Sequence, residues 1–251
     1  MNVDIFKKKI ECSFDKYADK YDSRTILQKK IMLTLLQFLY QEISHPNTKK
    51  KSQLLDLGCG TGELSSILIK KLNFKKMHLL DLSSQMLGIA KRKIKKNNIF
   101  FDQNDFDSFH QFEDYDIIVS NMALHWSANF LVLMDRILHQ MRTNTILIFS
   151  IPDNKSFSFL KKVKLGELIN QFPEKEFILK KIDEGFKYKV YEKTFFEETF
   201  TLIDFFKNMK KIGANVSNRS IEVGKLLKLR KYCFNEPIKI NYNINFFIIK
   251  K

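Results

Sequence analysis

Three glycines close to residue 60 form a turn that a ligand can approach closely. The stretch Leu54–Leu57 is apolar apart from Asp56, and an amphipathic pattern begins soon after it. The three glycines between these two segments are Gly58, Gly60 and Gly62, and a single small residue separates each from the next. The pattern predicts a buried strand that turns into a helix. Because glycine has no Cβ atom, the backbone of this turn can contact a bound nucleoside directly.

Two classes of ligand use such a turn, and Glu63 separates them. A dinucleotide site has a third glycine at this position and holds a pyrophosphate at the helix N-terminus. Here the position is Glu63, whose carboxylate would repel a pyrophosphate. The spacing is therefore wrong for NAD and favours a ligand without phosphate.

Acidic residues end the strands that we predict on either side of this turn. Asp81 ends the second strand, where its carboxylate could accept two hydrogen bonds from the vicinal hydroxyls of a ribose. Asp105 and Phe106 follow the third strand and could bind an adenine, the acid at its amino group and the ring against its face. Asp56 lies beneath the turn, where it could face a ligand's amine, bond the glycine loop, or do both.

The segment Ser120–Trp126 follows the fourth predicted strand and should line the same crevice. It contains Asn121, His125 and the only tryptophan, Trp126. His125 could act as a general base or form a wall of the pocket. None of the five histidines has metal-ligand spacing to another histidine or to a cysteine, so we expect no metal site.

These residues need an α/β frame to position them. The first 45 residues or so have helical spacing, and the segment around Pro46 ends that pattern. Apolar strands then alternate with helices, which indicates a parallel sheet covered on both faces. These strands are Gln53–Leu57, Met77–Leu82, Ile99–Phe101, Tyr115–Ser120 and Thr145–Ile151.

The pattern changes after Pro152. Residues 153–185 have mostly helical spacing, and Phe186–Phe196 alternates as a strand does. Thr199–Ile212 reads as a helix that Gly213 ends. The last strand, Ile238–Ile249, should be antiparallel to the others.

The net charge of +15 has two explanations that the sequence leaves open. It could serve docking to an acidic partner, a protein or a nucleic acid, or it could reflect the lysine bias of an AT-rich genome.

The three cysteines are far apart and read as free thiols. With no signal-peptide pattern and no apolar run long enough to span a bilayer, we expect a cytoplasmic protein.

Taken in order, these motifs resemble those of class I S-adenosylmethionine (SAM) methyltransferases. Over nearly the whole chain they are similar to the malonyl-acyl-carrier-protein O-methyltransferases of biotin synthesis. Three segments carry this closer resemblance: Phe14–Asp22, Ser120–Trp126 and the late run Phe205–Asn215. Two features depart from the family pattern, namely His125 in place of a common Gln and a turn before strand five, residues 142–145, without Pro-Gly-Gly.

The resemblance implies a Rossmann-like α/β fold in one domain. Its sheet should have seven mostly parallel strands, an antiparallel last strand, and helices on both faces. We expect an N-terminal helical cap (1–48), a SAM-binding core (52–151), an acceptor-side region of helices and a late strand (152–235), and a final strand (236–251).

The resemblance also implies roles for individual residues. The SAM-binding set would be Tyr21, Asp56, Gly58, Cys59, Gly60, Gly62, Asp81, Leu82, Met86, Asp105, Phe106 and Asn121. His125 would be a pocket residue, with no general base needed. The acceptor-binding candidates are Gln28, Trp126, Lys161, Lys162 and Arg219, of which the last three are cations that could hold a carboxylate.

The implied partner is an acidic acyl carrier protein that presents a malonyl thioester to a monomeric enzyme, without nucleic acid or membrane. Three alternatives remain. One is methylation of a free carboxylic acid or a quinone, and another is a methyltransferase-like assembly factor of respiratory complex I. The third, suggested by charge alone, is an RNA-associated methyltransferase-like protein.

Overall fold

The computed structural model describes residues 3–43, 52–182, 184–214 and 229–251. Its centre is a seven-stranded sheet in the order β3-β2-β1-β4-β5-β7-β6. β1 to β5 are mutually parallel, and β7 is antiparallel to both β5 and β6. The predicted mostly parallel sheet with an antiparallel last strand is confirmed. The strands are β1 (Gln53–Leu57), β2 (Lys76–Asp81), β3 (Ile99–Gln103), β4 (Ile117–Asn121), β5 (Ile146–Pro152), β6 (Lys187–Thr201) and β7 (Cys233–Lys250).

Helices cover both faces of the sheet. Leu54 and Leu55 lie side by side on β1 and point to opposite faces, yet both are buried. This is why the parallel strands read as continuous apolar runs. The helices are α1 (Val3–Tyr17), α2 (Tyr21–Arg24), α3 (Ile26–Glu42), α4 (Glu63–Lys71), α5 (Ser84–Lys93), α6 (Phe130–Gln140), α7 (Ser158–Lys162), α8 (Lys175–Leu179) and α9 (Leu202–Lys211).

The two hydrophobic layers use different helices. One layer contains the buried residues of α3, α4, α5, α7 and α9, with Ile31 and Leu68 among those without exposed surface. The other contains those of α1, α6 and α8, with Leu133 and Ile178 equally buried. The N-terminal cap, residues 3–43, therefore contributes to both layers and is part of the core. No helix in the described ranges is both long and apolar enough to cross a membrane.

The prediction that residues 153–185 are mostly helical is wrong. This region contains α7 and α8, of five residues each, and its other described residues form turns, a short 3-10 helix and irregular chain. Gly166 and Pro173 interrupt the helical spacing between the two helices, because neither favours a helix interior. The apolar residues here still reach the core as single anchors, such as Leu165.

The predicted start of helix Thr199–Ile212 is also wrong. β6 continues to Thr201, which pairs with Cys233 after a register shift at Thr199. α9 begins at Leu202, where the Thr201 side chain accepts a hydrogen bond from the Asp204 N–H. Cross-strand pairing with the early part of β7 has overridden the local helix pattern.

Candidate active site

The glycine turn has a left-handed backbone, which glycine adopts without strain. Gly58, Gly60 and Gly62 all have positive φ angles, of 69°, 55° and 74°. A Cβ atom on Gly58 would lie 2.3 Å from the Cβ of Ala123, so the turn packs tightly against the segment after β4. A Cβ on Gly60 would meet nothing within 4 Å, which leaves space above the turn.

Gly62 packs against a neighbouring helix and does not line a cavity beside the turn. It precedes the first residue of α4, and a Cβ there would lie 3.0 Å from Ala90 on α5. It is absent from the residues that line the cavities beside the turn. We therefore relate Gly62 to the packing of α4 against α5.

A hydrogen bond to Asp81 connects the glycine turn to the end of β2. Its Oδ2 accepts a hydrogen bond from the Gly60 N–H and its Oδ1 from the Ser83 N–H, both at 2.8 Å. Each carboxylate oxygen keeps a second lone pair for a ligand hydroxyl. Burial raises the pKa of Asp81 to about 6, although these two hydrogen bonds act in the opposite direction.

Asp56 lies deeper, at the end of β1. It is 1% exposed and accepts a hydrogen bond from the Ser65 hydroxyl of α4. Burial is the main cause that raises its pKa to about 7, and the nearby charge of Asp81 adds to it. A ligand cation beside this carboxyl would favour its ionised form.

A cavity opens at the carboxyl ends of β1, β2 and β4, and we call it the nucleoside cavity. It contains most of the predicted SAM-binding residues and continues beneath the turn past Asp56 and Cys59. The predicted residues that line these two parts are Tyr21, Asp56, Gly58, Cys59, Gly60, Asp81, Leu82, Met86, Asp105, Phe106 and Asn121. The sheet edge thus brings residues far apart in sequence to one site.

Lys7 of α1 forms the outer wall of the nucleoside cavity. It is 8% exposed, and its Nζ lies 2.8 Å from Asp105 Oδ1 and 2.6 Å from Asp107 Oδ2. The Asp107 N–H also donates to Asp105 Oδ1. Both hydrogen bonds fall on one oxygen of Asp105, so Oδ2 is left to accept a ligand's amino group.

A second cavity adjoins the first, and we call it the aromatic cavity. Four residues line both cavities: Phe14, Tyr21, Met122 and Trp126. The remaining walls are mainly apolar and come from α9 and the segment after β5, including Phe157, Phe172 and Phe206. Met122 adopts a positive φ of 53°, which is unusual for a residue with a long side chain and marks a strained backbone.

The polar residues of the aromatic cavity that sequence reasoning named are Tyr21, Gln28 and His125. The His125 side chain is half-buried, and its Nδ1 atom is buried without a hydrogen-bond partner in the described part of the chain. Burial lowers the pKa of His125 to about 3, so the ring is neutral at physiological pH. It can exchange a hydrogen bond with a ligand but cannot supply a positive charge there.

Two of the predicted carboxylate-binding cations, Lys161 and Lys162, do not line this cavity. Both are exposed on α7. The Lys161 amino group donates to the main-chain oxygen of Asn154. Arg219 lies outside the described residues. Within the described ranges, no lysine or arginine lines the aromatic cavity.

Three residues of the N-terminal cap bond three different loops of the nucleoside cavity. Lys7 contacts the loop after β3, as described above. Asp15 accepts hydrogen bonds from the Ser83 hydroxyl and the Gln85 N–H after β2. Asp22 accepts from Thr61 in the glycine turn and pairs with Lys93 at 2.8 Å. The cap is thus held in place by the loops that would contact a nucleoside.

Sequence reasoning missed Lys7, Phe14 and Met122 as site residues. Phe14 was part of a recognised motif, and Met122 lay within the Ser120–Trp126 segment, so both had a detectable signal. Lys7 stands in the run Lys7-Lys8-Lys9, which reads as a solvated helix face. Only the fold brings it to Asp105 and Asp107.

The site fits SAM on these observations. Asp81 can accept hydrogen bonds from the hydroxyls of a ribose, and Asp56 can face an ammonium group. Asp105 Oδ2 can accept a hydrogen bond from an adenine amino group while Phe106 packs against the adenine ring. The space above Gly60 admits a ligand next to the backbone. No group of three or more His, Cys, Asp or Glu residues in the described ranges could hold a metal ion.

Comparison with known proteins agrees with this geometry. A family model described as a methyltransferase domain matches residues 48–199. The malonyl-[acyl-carrier protein] O-methyltransferase of Acetivibrio thermocellus is 27% identical over 94% of this chain and 89% of its own length. Malonyl-[acyl-carrier protein] O-methyltransferase 2 of Coxiella burnetii is 26% identical over 100% of this chain and 99% of its own.

Among solved structures, the magnesium protoporphyrin IX methyltransferase of Synechocystis, which was determined with bound SAM, is similar in fold. It is 15% identical with a TM-score of 0.58, over 98% of this chain and 97% of that one. At this identity the likeness concerns the fold alone.

Proposed function

The chain belongs to the methyltransferase-domain family and is a SAM-dependent O-methyltransferase. We propose that its acceptor is the free carboxylate of a malonyl group on acyl carrier protein. The relatives named above, similar over nearly their full lengths, support this acceptor. The product would be a malonyl methyl ester that primes the pimeloyl chain of biotin.

One observation carries the proposal: the nucleoside and aromatic cavities share a wall. Phe14, Tyr21, Met122 and Trp126 line both, so ligands in the two cavities would meet between these side chains. Methyl transfer needs this arrangement, because the acceptor atom must approach the methyl carbon in line with the bond that breaks. Holding two reactants in such a geometry can supply most of the rate acceleration.

The reaction needs no proton transfer. A carboxylate oxygen forms a bond to the methyl carbon while the bond between that carbon and the sulfonium breaks, leaving a neutral thioether and a methyl ester. Because the acceptor is already ionised at neutral pH, a general base has no role. The neutral state of His125 is consistent with this mechanism.

The aromatic cavity favours this reaction through its low polarity. A carboxylate that enters it loses water, and removing water strengthens its attraction to a sulfonium cation. Tyr21, Gln28 and His125 can donate hydrogen bonds that orient the carboxylate without neutralising its charge. Reaction removes both charges at once, so the ester and thioether products are no longer drawn together.

Intact-mass analysis of the carrier tests the proposal directly. Purified protein is incubated with SAM and malonyl-acyl carrier protein, and we expect a mass increase of one methyl group on the malonyl form only. Methylation of a free carboxylic acid, a quinone or RNA, with none on the malonyl carrier, would replace this acceptor with another.

Replacing Asp81 tests the donor side separately. We expect Asp81→Ala to weaken SAM binding by about 1–3 kcal/mol, because two ribose hydrogen bonds to a charged group are lost. Isothermal titration with SAM measures this change. Asp102→Ala is the matched control, since Asp102 lies at the end of the adjacent strand and does not line either cavity. Equal affinities in the two variants would remove Asp81 from the ribose site.

A further inference from the structure

The aromatic cavity adjoins a surface groove whose charge and exposed apolar residues suit a protein partner. The groove runs between α3 and α9, beside β6, and shares Gln28, Met209 and Ile212 with the aromatic cavity. The side chains of these three residues therefore lie between the groove and the aromatic cavity. We call this surface the basic groove.

Three cations line the basic groove: Arg24, Lys30 and Lys211. All three are exposed, and the Arg24 guanidinium donates to the main-chain oxygen of Lys211. This bond holds the Arg24 guanidinium against the backbone at the end of α9. Nearby Lys93, by contrast, is neutralised by Asp22 and Glu63.

Glu197 is the one carboxylate that lines the groove within the described part of the chain. It is directed to the core side, since it accepts a hydrogen bond from the buried Tyr242 hydroxyl. Burial is the largest influence on its pKa, which is raised. The charge that the groove presents to a partner is accordingly positive.

Exposed apolar side chains accompany these cations. Ile26 is 66% exposed and Phe196 is 54% exposed, and both line the groove. Large apolar residues at a surface, ringed by charged ones, are the composition of protein interaction sites.

A second groove on the other side of the aromatic cavity lacks this charge. It shares His125, Asn170 and Phe172 with the cavity, and its lining residues in the described ranges include no charged side chain. An acidic partner would consequently be steered to the basic groove and away from the second one.

From this contrast we propose that the basic groove is the docking surface for the acidic acyl carrier protein. The carrier's acidic surface would face Arg24, Lys30 and Lys211 and bury Ile26 and Phe196. Its prosthetic arm would pass between Gln28 and Met209 into the aromatic cavity and bring the malonyl carboxylate to the shared wall. This inference rests on the proposed function, because it takes its partner from that function.

Charge reversal in the groove tests the proposal. The variant R24E/K30E/K211E is compared with K70E/K71E/K75E. The three exposed lysines of this control lie near the end of α4 and the start of β2, and four strands separate β2 from β6 in the sheet order. Both variants change the net charge equally. We expect kcat/KM with malonyl-acyl carrier protein to fall roughly 10- to 100-fold in the groove variant alone, and the loss to shrink as salt is added.

Two further measurements separate this proposal from the proposed function. With malonyl-pantetheine, which has the arm but no protein, the two variants should react at the same rate. Binding of the unacylated holo-carrier protein is also measured by titration and should weaken in the groove variant only. Equal carrier affinity in the two variants overturns the docking surface whether or not methyl transfer occurs. Carrier binding that depends on the groove, without methylation of malonyl substrates, overturns the acceptor assignment and leaves the docking surface intact.

Discussion

At the scale of single residues, the ionisation of Asp56 should control the pH dependence of SAM binding. Burial raises the pKa of this carboxyl to about 7, so it is protonated at lower pH in the free protein. A bound ammonium group requires the ionised form. We therefore expect SAM affinity to rise with pH through about 7, with Asp56 alone contributing at most roughly tenfold per pH unit below that value.

Titration calorimetry from pH 5 to pH 8.5 measures this dependence. Asp56→Asn should remove it near pH 7, while the weaker dependence from Asp81, whose pKa is raised to about 6, remains. Ser65→Ala deletes the hydrogen bond that lowers the pKa of Asp56 and should move the midpoint to higher pH. An Asp56→Asn protein with the wild-type pH profile would show that this carboxyl does not face the ammonium group.

His125 provides the opposite case, a titratable residue that should not titrate near neutrality. Its pKa is lowered to about 3 by burial, so the ring stays neutral throughout the pH range of an assay. We expect His125→Gln to change KM through the altered hydrogen bond and to leave the shape of the pH–kcat profile as it is. Loss of an acidic limb near pH 6 to 7 in this variant would instead identify His125 as a base.

At the scale of elements, the N-terminal cap is fixed by charge pairs that should matter for stability and for SAM. Lys7→Met leaves Asp105 and Asp107 without their cation in a site where all three side chains are 20% exposed or less. We expect the free energy of unfolding to fall by about 1–3 kcal/mol and SAM affinity to fall with it. Denaturant titration and calorimetry measure the two effects.

Lys8→Met is the matched control for this change. The Lys8 side chain is 68% exposed and pairs with Glu11, one turn away, so its replacement should leave the free energy of unfolding almost unchanged. If Lys7→Met were as mild as Lys8→Met, the pairs of Lys7 with Asp105 and Asp107 would contribute nothing to holding the cap, which would then depend on Asp15, Asp22 and its apolar contacts.

The elements also show where sequence reasoning succeeds and where it stops. The strands β1, β4 and β5 were predictable because both of their faces are buried, which makes each an apolar run. β2 and the edge strand β3 are only partly buried and were predictable from shorter apolar runs. Residues 153–185 were not, since single anchors such as Leu160 and Leu165 occur at spacings that resemble a helix. The glycine turn and Asp81 were predictable from local chemistry. The pairing of Lys7 with Asp105 was not, because it joins residues whose only relation is that the fold places them together.

At the scale of the whole molecule, a contact between α1 and the segment after α9 borders the aromatic cavity. Gly213 follows α9 with a φ of 77°, and a Cβ there would lie 2.9 Å from Cδ1 of Phe14 on α1. The Ser13 hydroxyl donates to the Gly213 main-chain oxygen at 3.1 Å. The late segment that resembles the family therefore completes the cavity by packing on the early one.

Gly213→Ala should separate α1 from the segment after α9. The added methyl group strains a positive-φ position and meets the Phe14 ring, at a cost of about 1–3 kcal/mol. Because Phe14 belongs to the wall shared by both cavities, we expect kcat/KM for the malonyl substrate to fall roughly 10- to 100-fold through misplacement of the reactants.

Gly185→Ala is the control, since a Cβ there meets nothing within 4 Å. SAM affinity should fall less than kcat/KM, because the added methyl group meets Phe14 and leaves the hydrogen bond between Asp81 and the Gly60 N–H in place. A Gly213→Ala enzyme with the turnover of the Gly185→Ala control would mean that the acceptor is positioned without the closure between α1 and α9.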